Sequence, residues 1–218
     1  MLVAFTLGFD ERFAVRALIR HGVQRDDKIV AIIPRYRVDE RTENALRALN
    51  EFAKRYLLSE QIERLEVDVA DFGPAVVSLV KAFRSWTARP IVLSLSGGMR
   101  ILIIETLLAA IVSDVEMKIE VESEDGATLT VFDNSIFNIA LLGILDDVEK
   151  NVIRYLVRGD MAIDTLAELL EAAKSTVWRR IRRLISLGLV EVLERKGKGR
   201  KMVVGLTENG RLLSGVLE

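Results

Sequence analysis

The chain has 218 residues, half of them hydrophobic, with no cysteine and a single histidine, His21. Those counts exclude disulfides, thiol catalysis and cysteine-based metal sites, and they leave too few ligands for a His-rich metal centre or a histidine-based triad. The net charge of −1 conceals two unlike halves, with 17 Lys/Arg against 22 Asp/Glu in residues 1–146 and 14 against 10 in residues 147–218.

Leu2–Leu7 is a short apolar run and reads as a first strand, followed by a Gly8-Phe9-Asp10 loop. Glu11–His21 places Phe13, Ala14, Ala17 and Leu18 at helical spacing, with His21 as a surface residue at its end. Lys28–Ile33 is a second strand, stopped by Pro34, and Arg41–Leu57 a helix with Ala45, Leu46, Leu49, Phe52, Ala53 and Tyr56 on one face. Ile62–Val69 reads as a strand, Phe72–Trp86 as a helix, Pro90–Leu95 as a strand and Met99–Val112 as a helix. Met117–Glu122 and Thr128–Phe132 flank S-E-D-G-A and form a hairpin whose turn Gly126 supplies. Strands alternating with helices of this length imply a mainly parallel sheet covered on both faces. Residues 1–133 are therefore expected to form an α/β, Rossmann-like domain with an appended β-hairpin.

In open parallel sheets ligands bind beyond the carboxyl ends of the strands. Two loops fit that position, Thr6–Arg12 after the first strand and Ser96–Arg100 after the fourth, and they are expected to face each other across one crevice. The second, S-G-G-M-R, suits a phosphate. Its glycines allow backbone to approach a ligand, the helix behind it offers free amides, and Arg100 adds a positive fork. No G-x-G-x-x-G, G-x-x-x-x-G-K-[ST] or G-x-S-x-G pattern occurs, so dinucleotide binding, P-loop hydrolysis and an α/β-hydrolase elbow find no support. Asp10, Glu11 and Glu105 near the loops read as caps or solvated carboxylates, and no catalytic or metal-ligating residue is assigned.

Residues 134–146 are expected to link the domains, with the apolar segment Ile136–Leu145 as an interdomain or dimer contact. Asp147–Arg158 and Thr165–Ala172 read as helices. Ala173-Lys174 turns the chain, and Ser175 caps a third helix that runs to about Leu187 and stops at Gly188. Leu189–Leu193 and Met202–Leu206 read as strands around R-K-G-K-G-R, and Thr207–Val216 as a closing helix. Three helices, a basic hairpin and a helix make the plan of a winged helix-turn-helix over 147–218. At about 100° per residue the third helix puts Val177, Ile181, Leu184 and Ile185 on one side, and Ser175, Arg179, Arg182 and Arg183 on the other. Ten basic and two acidic residues fall between 174 and 201. A nucleic-acid face is expected there, on double-stranded DNA. It comprises Lys174, Ser175, Thr176, Arg179, Arg180, Arg182 and Arg183 of the helix, and Arg195, Lys196, Lys198, Arg200 and Lys201 of the wing.

With both ends of the chain read, the whole resembles the archaeal CRISPR-associated transcription regulators that join a CARF domain to a C-terminal winged helix. The resemblance rests on T-L-G-F-D-E-R-F at Thr6–Phe13, on S-G-G-M-R-I at Ser96–Ile101 and on the domain order. It implies a homodimer that binds a cyclic oligoadenylate, cyclic tetra-adenylate, as a regulatory ligand and needs no cofactor. Carried over, Thr6, Gly8, Phe9, Asp10, Arg12, Ser96, Gly97, Gly98, Met99 and Arg100 would line the pocket. Two other readings stay open: a ring nuclease that cuts its own ligand with help from Ser96 and Arg100, and a winged-helix regulator of another nucleotide. No stretch of about 18 uncharged apolar residues and no basic leader is present, so a cytoplasmic protein without a membrane span is expected.

Overall fold

The apolar run at the head of the chain forms β1 (Leu2–Thr6), and all five of its residues are buried. A computed structural model describes residues 1–35, 40–57, 62–134, 136–137, 145–196 and 201–215, with backbone alone at 194–196 and 201. The chain divides into two compact units, Met1–Asn134 and Ser135–Glu218.

In the first unit β1 is followed by α1 (Arg12–Arg20), β2 (Lys28–Pro34), α2 (Glu40–Phe52), a π-helical turn (Ala53–Leu57) and β3 (Glu63–Val67). Then come α3 (Phe72–Ser85), β4 (Ile91–Ser94), α4 (Arg100–Val112), β5 (Lys118–Glu122) and β6 (Leu129–Asp133). The strands lie in the order β3-β2-β1-β4-β5-β6, and β6 alone is antiparallel to its neighbour. The Rossmann-like sheet with its hairpin is thus as expected. α1 packs beside α2, and α3 beside α4. Val3, Phe5, Ile29, Ala31 and Ile33 point with Ala14, Leu18, Leu46 and Leu49 into one core. β2 ends at Pro34 as expected, with Pro34 itself its last residue, in register with Val67. A last strand residue needs no further ladder donor, so a proline is tolerated there.

The chain leaves β1 on one side to build β2 and β3, then returns on the other side to build β4. β1 and β4 are neighbours, with Phe5 paired to Ser94, so their following loops emerge side by side at the switch point of the sheet. The two loops touch through backbone. A Cβ on Gly8 would lie 2.9 Å from Gly98 Cα, and one on Gly97 would lie 3.3 Å from the Thr6 carbonyl oxygen. Gly98 has φ +104°, and a Cβ there would lie 3.3 Å from Thr6 Cβ. Thr6 Oγ1 donates to the Gly97 carbonyl. The glycines therefore serve the contact between the loops before they serve any ligand.

Helix α4 lacks the single apolar stripe of an ordinary surface helix. Its sequence, RILIIETLLAAIV, buries Glu105 and Thr106 and exposes Ile101, Ile104 and Val112, with Ile104 54% accessible. Neither carboxylate oxygen of Glu105 has a hydrogen-bond partner among the described residues. Burial, with the charge of Asp68 added, raises the Glu105 carboxyl above its ordinary value. The solvated carboxylate read from the sequence is thus a buried one. His21, read as a surface residue, instead shares a cluster of buried charges. Arg20 reaches Glu120 at 3.0 Å and Glu122 at 2.7 Å, Arg16 reaches Glu122 at 2.6 Å, and His21 Nε2 lies 2.8 Å from Glu120.

The second unit holds α5 (Asp147–Leu156), β7 (Met161–Ala162), α6 (Ile163–Leu169), α7 (Lys174–Ser186), β8 (Val190–Lys196), β9 (Lys201–Leu206) and α8 (Glu208–Ser214). Its sheet runs β7-β9-β8, and the two-residue β7 was not foreseen from sequence. Val152, Ile153, Leu166, Val177, Ile181, Leu184, Val204 and Leu213 close the core. α7 is capped by Ala173, not Ser175, which sits inside its first turn. Gly188 ends α7 at φ +68°, with its N–H on the Ile185 carbonyl and the Leu189 N–H on that of Leu184. That is the pattern of a glycine-terminated helix. Of the expected linker contact Ile136–Leu145, residues 138–144 lie outside the described residues.

Two measurements test these assignments. Gly98→Ala forces a Cβ into a left-handed, crowded position, a strain of about 1–3 kcal/mol. It lowers the melting temperature of the N-terminal unit by several degrees, at about 2–4 °C per kcal/mol for chains of this size. Gly73→Ala, where a Cβ meets nothing within 4 Å, leaves the melt unchanged or raises it. Glu105→Gln tests the buried acid. Because the folded state raises the carboxyl, the native protein loses stability as pH rises through and above the ordinary glutamate range. The substitution therefore raises the melting temperature at pH 7 and leaves it unchanged near pH 4.

Candidate ligand pocket and nucleic-acid face

The two glycine loops bound a cavity of about 850 Å³ in the first unit. Gly8, Phe9, Asp10, Arg12, Ser96, Gly97, Gly98 and Met99 line it. Thr6 is buried beneath it, holding Gly97, and Arg100 is exposed at the head of α4 without lining it. Sequence reading missed Leu7, Phe13, Pro34, Thr42 and Glu124, which complete the walls. Pro34 and Thr42 come from the carboxyl end of β2 and the start of α2. Glu124 comes from the S-E-D-G-A turn between β5 and β6.

The chemistry of the walls is mixed. Met99 caps α4 and no side chain bonds to its first amides, so those amides open toward the loop and favour an anion. Phe9 is 58% accessible, and the Arg41 guanidinium lies 5.7 Å from its ring centre. Met99, 42% accessible, adds a second apolar surface. Arg12 is engaged within the loop. Its Nε lies 2.9 and 2.8 Å from the two oxygens of Asp10, and its backbone N–H also donates to that carboxylate. The hydrogen bond from Arg12 holds the Asp10 carboxyl below its ordinary value. Ser96 Oγ accepts the Glu122 N–H at 2.9 Å and lies 3.3 Å from Ser94 Oγ. It is a fastening between loop and hairpin. Among the described residues no group of three His, Asp or Glu side chains is arranged to hold a metal ion.

In the second unit, Arg179 and Arg182 of α7 are exposed, with no partner among the described residues, and Ser175 shares their face. Two arginines assigned to the same face are engaged elsewhere. Arg183 Nη1 lies 2.9 Å from Glu149, which is fully buried, and Arg180 lies 2.8 Å from Asp146. Asp146 and Glu149 form a capping box at the start of α5, so these two arginines fix α7 to α5. The helical angle could not separate them, because Asp146 and Glu149 stand 34 positions upstream. Lys174 lies 2.7 Å from Asp164 on the surface, and Thr176 is half-buried. Arg195 and Lys196 lie on β8 and Lys201 on β9, where Lys196 and Lys201 are register partners. Lys198 and Arg200 lie outside the described residues. No helix among the described residues is long and apolar enough to cross a membrane.

Comparison with known proteins agrees with both parts. Residues 1–133 match the Csa3 CRISPR-associated Rossmann-like domain, and residues 145–191 match a winged helix-turn-helix DNA-binding domain. The chain is 28% identical over 200 residues to the CRISPR locus-related protein Csa3 of Saccharolobus solfataricus, whose name describes it as a candidate DNA-binding protein. The match covers 90% of this chain and 81% of that one. Among solved structures, a MarR family regulator from Neisseria meningitidis is 26% identical, covering 34% of this chain and 54% of that one at a TM-score of 0.32. The multiple antibiotic-resistance repressor MarR of Listeria monocytogenes is 26% identical, covering 38% and 56% at a TM-score of 0.31. Those matches span little more than half of either regulator. The match over residues 1–133, the winged helix that follows it and the likeness along nearly the whole chain place this protein in the Csa3 family of CRISPR-associated proteins.

Proposed function

We propose that the protein is a ligand-responsive DNA-binding regulator of CRISPR loci, and that a homodimer senses a cyclic oligoadenylate, cyclic tetra-adenylate. The observation that carries this reading is the cavity between the two glycine loops. It has free helix amides for phosphate, Phe9 and Met99 for bases, and no assembled acid–base or metal centre among the described residues. A sensor fits it better than a nuclease. The Ser96 hydroxyl accepts the Glu122 N–H and so ties the loop to the hairpin.

The exposed apolar face of α4 supports the dimer. Ile101, Ile104 and Val112 form an apolar face on a helix whose remaining faces are already packed. A second copy laid on that face buries it. Because α4 begins at Arg100, immediately after the second loop, a two-fold axis along this face brings two pockets together around a ring of matching symmetry. In this reading Arg100, at the head of the face, meets the ring in the dimer alone. DNA is held by Arg179, Arg182 and Ser175 in the major groove and by the basic wing on the backbone. The ligand acts by binding one arrangement of the dimer better than another.

Four outcomes check this reading. Calorimetric titration of cyclic tetra-adenylate gives one ring per two chains; one ring per chain, or none, contradicts it. Ile104→Glu yields monomers in sedimentation and abolishes ring binding together. Arg179→Ala with Arg182→Ala weakens DNA binding and lowers the slope of log K against log salt by about 2. Arg183→Ala instead lowers the melting temperature of the C-terminal unit, because it leaves Glu149 buried without its cation.

A further inference from the structure

The third wall of the cavity is the tip of the β5–β6 hairpin, and it is fixed more firmly than a surface turn requires. At its base Glu122 is held by Arg16 and Arg20, Glu120 by Arg20 and His21, and the Glu122 N–H by Ser96 of the second ligand loop. At its tip Gly126 takes φ +73°. Ser123 Oγ donates to Asp125 at 2.6 Å and accepts the Thr128 N–H at 2.9 Å, and the Ala127 N–H donates to Asp125 at 3.0 Å. Of the two acids in the turn, Asp125 is engaged inside it. Glu124 lines the cavity and has no partner among the described residues. The other lining acid, Asp10, is tied to Arg12.

A carboxylate placed this way cannot assist a phosphate, which it repels. It accepts hydrogen bonds and donates none. We infer that Glu124 is a specificity-determining residue that accepts a hydrogen bond from a donor on the nucleoside part of the ligand, a ribose hydroxyl or a base amino group. The phosphates meanwhile lie at the glycine loops. This inference rests on the cyclic oligoadenylate reading above, and it divides the pocket into an anion-binding floor and a donor-reading rim. Charge repulsion alone makes the opposite prediction, since removing an acid from an anion site then tightens binding.

The test titrates the full-length protein with cyclic tetra-adenylate and with two altered rings, one of 2′-deoxyadenosine and one of inosine. Glu124→Ala weakens the parent ring about 10- to 100-fold, the range of a charge-assisted hydrogen bond. Glu124→Gln, which keeps an acceptor without the charge, falls between. The altered ring that lacks the donor binds the unaltered protein about as weakly as the parent ring binds Glu124→Ala, and the substitution does not weaken it further. Which ring behaves so tells hydroxyl from amino. Melting curves of the variants match that of the unaltered protein, because Glu124 holds nothing in the fold. Equal or tighter binding of the parent ring by Glu124→Ala overturns the inference and leaves the sensor reading standing. Failure of the unaltered protein to bind any ring overturns the sensor reading, and the inference with it.

Discussion

The backbone contact between the loops after β1 and β4 is the constraint on which the rest depends. Gly8 lies against Gly98, Gly97 against the Thr6 carbonyl, and Thr6 fastens the pair from below. Two adjacent parallel strands bring the loop starts within one strand spacing, and side chains at these positions would force them apart. With the loops joined, the open end of α4 and the Phe9 ring share one cavity. The hairpin is added to this pair through Ser96, whose hydroxyl receives the Glu122 N–H. Floor, aromatic surface and rim are thus one fastened body, which is what a pocket needs if binding is to act on anything beyond itself.

The buried charges show how the same unit tolerates polar groups inside. Glu120 and Glu122 are acceptable because Arg16, Arg20 and His21 meet them from α1. Paired in this way, they tie the helix after the first loop to the strand before the rim. Glu105 has no such cover, and its burial is destabilising when ionised. It is retained beside the buried Leu102, Ala109 and Ala110, in a helix whose outer face is also apolar.

Much of this was legible in the chain. Alternating strand and helix runs, with Gly97-Gly98 between an apolar strand and a long helix, gave the sheet and placed both loops at its carboxyl edge. The arginines of α7 and the basic hairpin marked the winged unit. What stayed hidden depended on partners far away in sequence. Glu120 and Glu122 alternate like solvated strand positions, and nothing nearby reveals that Arg16 and Arg20, about 100 positions upstream, cover them. Arg180 and Arg183 differ from Arg179 and Arg182 solely through Asp146 and Glu149. Glu105 looked solvated because the spacing of a helix that is apolar almost all round does not say which face turns inward. Glu124 was concealed in a turn whose glycine explained it without any ligand.

We propose above that occupancy of the joined loops acts on the winged helix. Fluorescence anisotropy of duplex DNA from the chain's own CRISPR locus, titrated with protein at fixed salt with and without saturating cyclic tetra-adenylate, tests it most directly. The ring is expected to change the dissociation constant severalfold or more, and Gly98→Ala, folded at the temperature used, to remove the change without altering the affinity of the free protein. Identical DNA binding with and without ring, in a protein shown to have bound it, would mean that the pocket does not act on the winged helix.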